Sequence, residues 1–310
     1  MKAKQLILTL STLVLAGSLM LTSCRKKTKE EEDPDSDQST AQENQIAENM
    51  TNDIAGIGSQ GSENGTLTTY KMDPSLDISG ISSGTVTLGV KTFTVDFGPL
   101  PGVTCADGRK RSGMLMFDYS ISTNTIMPIF YRTPGFKMSI QSSNYTVDDY
   151  TVAIGSKTIT NTTPISIPTG TNPGTNLTWN ITANITITKP ASAGGGTITW
   201  SCNRTKTLVN TNDPLCYQGQ GSPILWNKAR VQFDGTASGT TASNESYTSV
   251  ISGLTRDFGT CGAFLKYPFI KGTIEFTPGT KATRYIDFGT GTCDRGATIT
   301  IKGVTYSFNF

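Results

Sequence analysis

The chain has no histidine. That absence removes Ser-His-Asp and Cys-His nucleophiles, His-ligated zinc, a histidine general base and a histidine pH switch. Charge is also scarce: 16% of 310 residues, with 26 Lys and Arg against 24 Asp and Glu, for a net charge of +2. No basic excess is available to displace counterions, so no nucleic-acid partner is expected. No Cys-x-x-Cys pair occurs, and with histidine also missing no metal site and no cofactor are expected. A long hydrophobic run is missing too. The apolar stretch from Leu6 to Leu21 covers 16 residues, short of the ~20 needed to span a bilayer as a helix.

What is present begins at the N-terminus. Lys2 and Lys4 precede that apolar stretch, and Leu21-Thr22-Ser23-Cys24 closes it. Charge, length and small residues mark residues 1–23 as a secretory signal peptide. The last four residues resemble a bacterial lipobox, which makes Cys24 the lipid attachment site. Two or more acyl chains hold a protein stably on a membrane. Arg25-Lys26-Lys27 followed by Glu30-Glu31-Glu32-Asp33 opens a charged segment, residues 24–39, which cannot bury surface and reads as a disordered tether. Its basic-then-acidic order resembles the surface-export signal of Bacteroidota lipoproteins. The expected location is therefore the outer membrane, lipid-anchored and facing the exterior. Asp33, Asp35 and Asp37 imitate the start of a calcium loop, but Gln38 and Asn44 stand where glycine and glutamate are required.

A short amphipathic helix is expected over residues 40–58. Thr40 and Glu43 have capping-box spacing, Ile46, Met50, Ile54 and Ile57 mark one apolar face, and Gly56 and Gly58 close it. Beyond it the chain reads as all-β. Thr92–Phe97, Trp179–Thr188 and Ala297–Lys302 alternate with period two and are rich in β-branched residues. Two β-sandwich-like halves, 64–190 and 196–310, or one large sandwich, are expected. The glycine-rich stretch 189–196 is either the boundary between halves or a long hairpin within one sheet.

An internal repeat supports related halves. Asp96-Phe97-Gly98 leads to Cys105-Ala106-Asp107-Gly108-Arg109. Asp287-Phe288-Gly289 leads to Cys293-Asp294-Arg295-Gly296. A third Asp257-Phe258-Gly259 precedes Cys261. The repeat reads as a stabilised corner between strands, with a ligand loop as the other reading. Together with the lipobox and the threonine-rich strands, these motifs resemble an uncharacterised family of Bacteroidota surface lipoproteins over most of the chain. The resemblance implies no activity and no catalytic residues.

Five cysteines follow Cys24, and an exported location permits disulfides. Cys202 with Cys216 and Cys261 with Cys293 each flank a hairpin-like stretch, which leaves Cys105 over. Cys105 with Cys261 or Cys293 is the alternative. Several motifs mislead. Gly56-Ile57-Gly58-Ser59-Gln60-Gly61 with Asp77 mimics a dinucleotide fingerprint in the wrong strand–helix order. Gly80-Ile81-Ser82-Ser83-Gly84 mimics a nucleophile elbow without a base. Asp148, Asp149, Glu245 and Glu275 could supply glycosidase carboxylates only if two face each other. Tyr306, Phe308 and Phe310 alternate like a closing outer-membrane strand, but they read better as a final sandwich strand. The expected function is a non-enzymatic binding or structural module anchored to the membrane, with a glycan or a surface protein as ligand. A fimbrillin-like pilus subunit and a carbohydrate-active enzyme are the alternatives.

Overall fold

The computed structural model describes residues 39–63, 77–123, 130–164, 176–211, 213–219, 222–261 and 268–309. The expected signal peptide, the expected lipid-attachment residue Cys24, the expected tether before Ser39, and Phe310 lie outside them. The chain divides into residues 1–35 and 36–310, and every described residue belongs to the second unit.

Helix α1 spans Ser39–Glu63. Fourteen strands follow: β1 Thr85–Gly89, β2 Thr92–Asp96, β3 Val103–Thr104, β4 Lys110–Asp118, β5 Lys137–Val147, β6 Tyr150–Asn161 and β7 Leu177–Thr188. The second seven are β8 Thr197–Leu208, β9 Arg230–Thr240, β10 Ser246–Asp257, β11 Lys271–Pro278, β12 Arg284–Thr290, β13 Gly296–Ile301 and β14 Val304–Asn309. The all-β expectation holds. The strands expected in two sandwich-like halves form one antiparallel sheet in chain order, with β3 set aside against β4. Residues 189–196 are the turn of a hairpin, since β7 and β8 pair from Leu177↔Leu208 to Thr188↔Thr197 and the Lys189 N–H donates to the Gly196 carbonyl.

The alternation explains the sheet. On β7, Leu177, Trp179, Ile181, Ala183, Ile185 and Ile187 are buried, whereas Thr178, Asn180, Thr182, Asn184, Thr186 and Thr188 face outward. Each large apolar side chain buried this way contributes about 1.5–3 kcal/mol. The outward polar face is stitched by hydroxyl pairs such as Thr199–Thr240 at 2.8 Å and Thr300–Thr305 at 2.8 Å. Bulges interrupt β4–β5 and β9–β10–β11 and bend the sheet. Gly113 sits in the first of these at φ +74°, where a Cβ would lie 2.2 Å from the Asn144 carbonyl oxygen.

The bent sheet faces α1 from several sides. Phe93 of β2, Phe117 of β4, Met138 of β5, Trp200 of β8 and Arg256 of β10 all reach it. The helix therefore departs from expectation. It does not end at Gly58 but runs 25 residues to Glu63, and it is buried on nearly every side, polar residues included. Gly58 and Gly61 do not stop it. They let it approach Phe117, Met138 and Phe93, whose atoms lie 2.4–2.9 Å from where a Cβ would be. The expected capping box does not form either, because Thr40 already lies inside the helix and its hydroxyl donates to Glu245 at 2.8 Å.

A disulfide joins Cys261 to Cys293, tying the β10–β11 connection to the β12–β13 connection. Cys202 and Cys216 are not bonded. Both are free and buried, as is Cys105. Cys202 lies within β8, about 20 Å of extended chain before the strand ends and the connection carrying Cys216 begins. A disulfide requires the two Cα atoms within about 7 Å.

Candidate functional site: a charged seam around the helix

A helix enclosed by a sheet must satisfy its own polar side chains, since an unpaired buried charge costs several kcal/mol. Helix α1 carries Glu43, Glu48, Asp53 and Glu63, and each meets a base from a different part of the sheet. Glu43 binds Lys189 at 2.5 Å and accepts the Ala242 N–H at 2.7 Å. Glu48 binds Arg204 of β8 at 2.7 Å. Asp53 binds Arg111 of β4 at 2.6 Å. Glu63 pairs with Arg132 and accepts the backbone N–H of Arg132 at 2.7 Å and of Ile224 at 3.3 Å. Two amides extend the series: Asn44 accepts from the Trp200 indole at 3.2 Å, and Asn49 accepts from Arg256 at 2.6 Å.

Electrostatics follows from the geometry. Burial alone would raise the Asp107 carboxyl, but hydrogen bonds from Arg111 at 2.9 and 2.7 Å, with the charges of Arg111 and Arg109, hold it below the usual carboxylate range. Burial opposes the Arg111 charge, yet Asp53 and Asp107 keep its pKa well above the ordinary value. At Glu63 burial dominates and raises the carboxyl, against the pull of Arg132 and two backbone donors. Near the C-terminal end of α1, Lys206 points into an aromatic cage. Its Nζ lies 4.3 Å from the Trp226 ring centre, 5.2 Å from Tyr131 and 5.6 Å from Trp179. Burial, reinforced by Lys157, pushes Lys206 down to about 7.

The repeat residues prove to be turn builders. Asp96, Asp257 and Asp287 each accept the N–H of the glycine two residues on, at 2.8, 3.0 and 2.8 Å. At Asp96 and Asp257 this is an Asx turn that ends a strand, whereas at Asp287 it falls inside β12, where the pairing with β11 is shifted. Phe97 and Phe288 then enter the core. The first copy reaches the helix, where Arg109 lies 3.7 Å from Asp53 and 3.8 Å from Asp107. In the second copy Asp287, Asp294 and Arg295 are exposed, and Asp294 accepts the Gly296 N–H at 2.9 Å.

The other motifs are structural as well. Asp77 accepts from the backbone of Ser79, Gly80 and Ser82 and from the Ser82 hydroxyl, so it ties the turn that resembled a nucleophile elbow. Asp148 and Asp149 form the β5–β6 turn, Glu245 pairs with Lys281 at 2.9 Å beside the β9–β10 hairpin, and Glu275 is exposed on β11. A cavity of about 200 Å³ lies between α1 and β12–β14, lined by Gln42, Gln45, Ile46, Ile286, Ile299 and Phe308.

Reading the motifs missed the inward bases. The signal for them was present: period two places Trp200, Cys202, Arg204, Lys206 and Leu208 on one buried face of β8. Compared with known proteins, the chain matches no family model, no curated protein and no solved structure.

Proposed function

We propose that the chain is a non-enzymatic, lipid-anchored module of the outer membrane, facing the exterior, whose tether passes directly into the buried helix of its own β body. The observation that carries this reading is the position of α1. Its first turns lie beside Lys189 and the β9–β10 hairpin. Its last residue lies beside Arg132 and Ile224, in the long connections 119–136 and 209–229. A helix of 25 residues is about 37 Å long. The chain thus enters at one end, and its longest connections gather about a helix length away, where loops that carry binding are free to differ without disturbing the scaffold. A glycan or a surface protein would be met there.

Cys24→Ala tests the anchor. Metabolic labelling with palmitate should mark the wild type and not the variant, and the variant should leave the membrane fraction. Label retained by Cys24→Ala would overturn the lipid assignment. Protease added to intact cells should degrade the body; a body cut only after the outer membrane is opened would defeat the outward orientation.

A second reading, a fimbrillin-like subunit, draws on the sheet edges. Among the described residues β1 and β14 each pair on one side only, and an open edge accepts a strand from another chain. Assembly into polymers after tether cleavage would favour it, and a body that stays monomeric at high concentration would dismiss it.

A further inference from the structure

Register places five inward residues in one row across the sheet. Lys157 of β6 pairs with Ala183 of β7, Ala183 with Cys202 of β8, Cys202 with Ala237 of β9, and Ala237 with Ser249 of β10. All five are buried. Four of the five have side chains of one or two heavy atoms, so the wall facing the helix is recessed here, while neighbouring rows carry Trp200 and Ile181.

Donors surround this recess without acceptors. Lys157 Nζ, Arg204 Nε and Nη1, Ser249 Oγ and Thr51 Oγ1 are buried and have no hydrogen-bond partner among the described residues. Lys157, Arg204, Ser249 and Thr51 are each no more than 2% exposed. Arg204 spends only Nη2, on Glu48. Thr51 follows Glu48 by three positions on α1, so both look the same way. Lys157 feels the charge of Glu48 and lies close enough to Cys202 to interact with it.

Charge decides what the recess takes. Glu48 is bonded to Arg204 and is also the carboxylate that acts on Lys157, so two buried cations share one negative charge. Burial pushes Lys157 down to about 8, which leaves it charged at neutral pH. Burial pushes the Cys202 thiol up to about 12, so it supplies no counter-charge. Water would satisfy the donors but not the charge, and an unpaired ammonium in a low-dielectric interior is costly. One net positive charge calls for one negative charge. The room left where Ala183, Cys202, Ala237 and Ser249 stand in place of larger side chains is that of a few heavy atoms, which suits a compact ion rather than a five-atom tetrahedral oxyanion.

We propose that Lys157, Arg204, Ser249 and Thr51 form a buried site for a single monovalent anion of halide size, held between α1 and the row Ala183–Cys202–Ala237.

The test uses the purified full chain. Thermal melts in sodium chloride or bromide are compared with sodium gluconate at equal ionic strength, gluconate being too large for the recess. The midpoint should rise by several degrees and saturate with halide, as ligand linkage requires. Lys157→Met keeps the stem and removes the charge; it should melt at the same temperature in all three salts. Ser249→Ala should shift the saturation to higher halide. Crystals grown in bromide should show one anomalous peak within contact distance of Lys157 Nζ, a readout that holds even if Lys157→Met does not fold. A wild type indifferent to halide, a halide effect retained by Lys157→Met, or water alone at that position would each overturn the proposal.

Discussion

Alanine at Gly61 sets helix propensity against packing, and the two have opposite signs. In an open helix Gly→Ala stabilises by about 1 kcal/mol. At Gly61 the new Cβ would fall 2.4 Å from both Cε2 and Cζ of Phe93 and 3.1 Å from Ile81 Cδ1. Comfortable carbon contacts are about 3.5–4.0 Å, so the ring or the helix must move by more than ~1 Å. The ring has nowhere to go, because Phe93 is buried and stacked on Phe117 at 4.4 Å, and Phe117 in turn abuts Gly58. Overpacking of this kind costs about 1–3 kcal/mol or more, which exceeds the propensity gain. Gly56 provides the control: its nearest neighbour is Ser79 Cβ at 3.6 Å, an ordinary contact. Gly56→Ala should therefore gain about 0.5–1 kcal/mol. Both variants carry the same propensity gain, so they should differ by the packing cost, roughly 1–3 kcal/mol, or about 2–12 °C in melting temperature for a chain of this size. Equilibrium urea unfolding followed by circular dichroism measures this directly. A Gly61→Ala protein as stable as Gly56→Ala would mean that α1 does not pass under Phe93 as described.

The remaining predictions concern charge and cross-links. Glu48→Gln leaves Arg204 buried without its counter-ion and should cost about 3–5 kcal/mol, whereas Glu48→Leu with Arg204→Met should recover most of the loss; equal destabilisation of single and double variants would argue against a paired site. Cys261→Ser removes a cross-link with a sequence separation of 32, worth about 3–4 kcal/mol by loop closure, and alkylation of the denatured protein should label three of the five cysteines after Cys24; five labelled thiols would refute the bond. Lys206 and Lys157 titrate at about 7 and about 8 in the folded protein, against ~10.4 unfolded. The unfolded chain then holds more protons, so stability rises with pH from about 7 to about 8.5. Above that, the buried thiols of Cys105, Cys202 and Cys216, all raised by burial, oppose the trend. Lys206→Met should remove most of the slope, and an unchanged slope in that variant would show that Lys206 is not the source.

Much of the β body was legible because period two survives in a sheet with one wet face. Trp179–Thr188 could be assigned to the core or to solvent residue by residue, and β7 follows that assignment. The Cys261–Cys293 bond was legible from the loops that flank it, but the Cys202–Cys216 pairing was not, because spacing along the chain says nothing of how far a strand carries one cysteine inward. The helix was legible only in its apolar half. Ser59-Gln60-Gly61-Ser62-Glu63 reads as a turn by propensity, and what keeps it helical is tertiary: Glu63 needs Arg132, and Gly61 needs the face of Phe93. The inward bases were hidden for a related reason. A lone Arg204 or Lys206 in a strand looks solvated until its neighbours on the same face are seen to be buried.

The polar helix and the basic interior of the sheet each depend on the other. Without α1, Arg132 and Arg204 would face an apolar interior with their carboxylates gone, each at a cost of several kcal/mol, and Arg111 would keep Asp107 alone. Without the sheet, α1 has glycines at 56, 58 and 61, no acidic residue in its first turn and no basic residue in its last, so it has little reason to be helical alone. Folding of the two is therefore coupled. Force applied to the chain ahead of Ser39 would meet no weak joint at which to peel the helix away. Extracting α1 must break ion pairs to β4, β8, the β7–β8 turn and the 119–136 connection, which lie on different parts of the sheet. A helix held by apolar contacts alone could slide by one turn at modest cost. Four carboxylates matched to four bases have only one register in which all are paired.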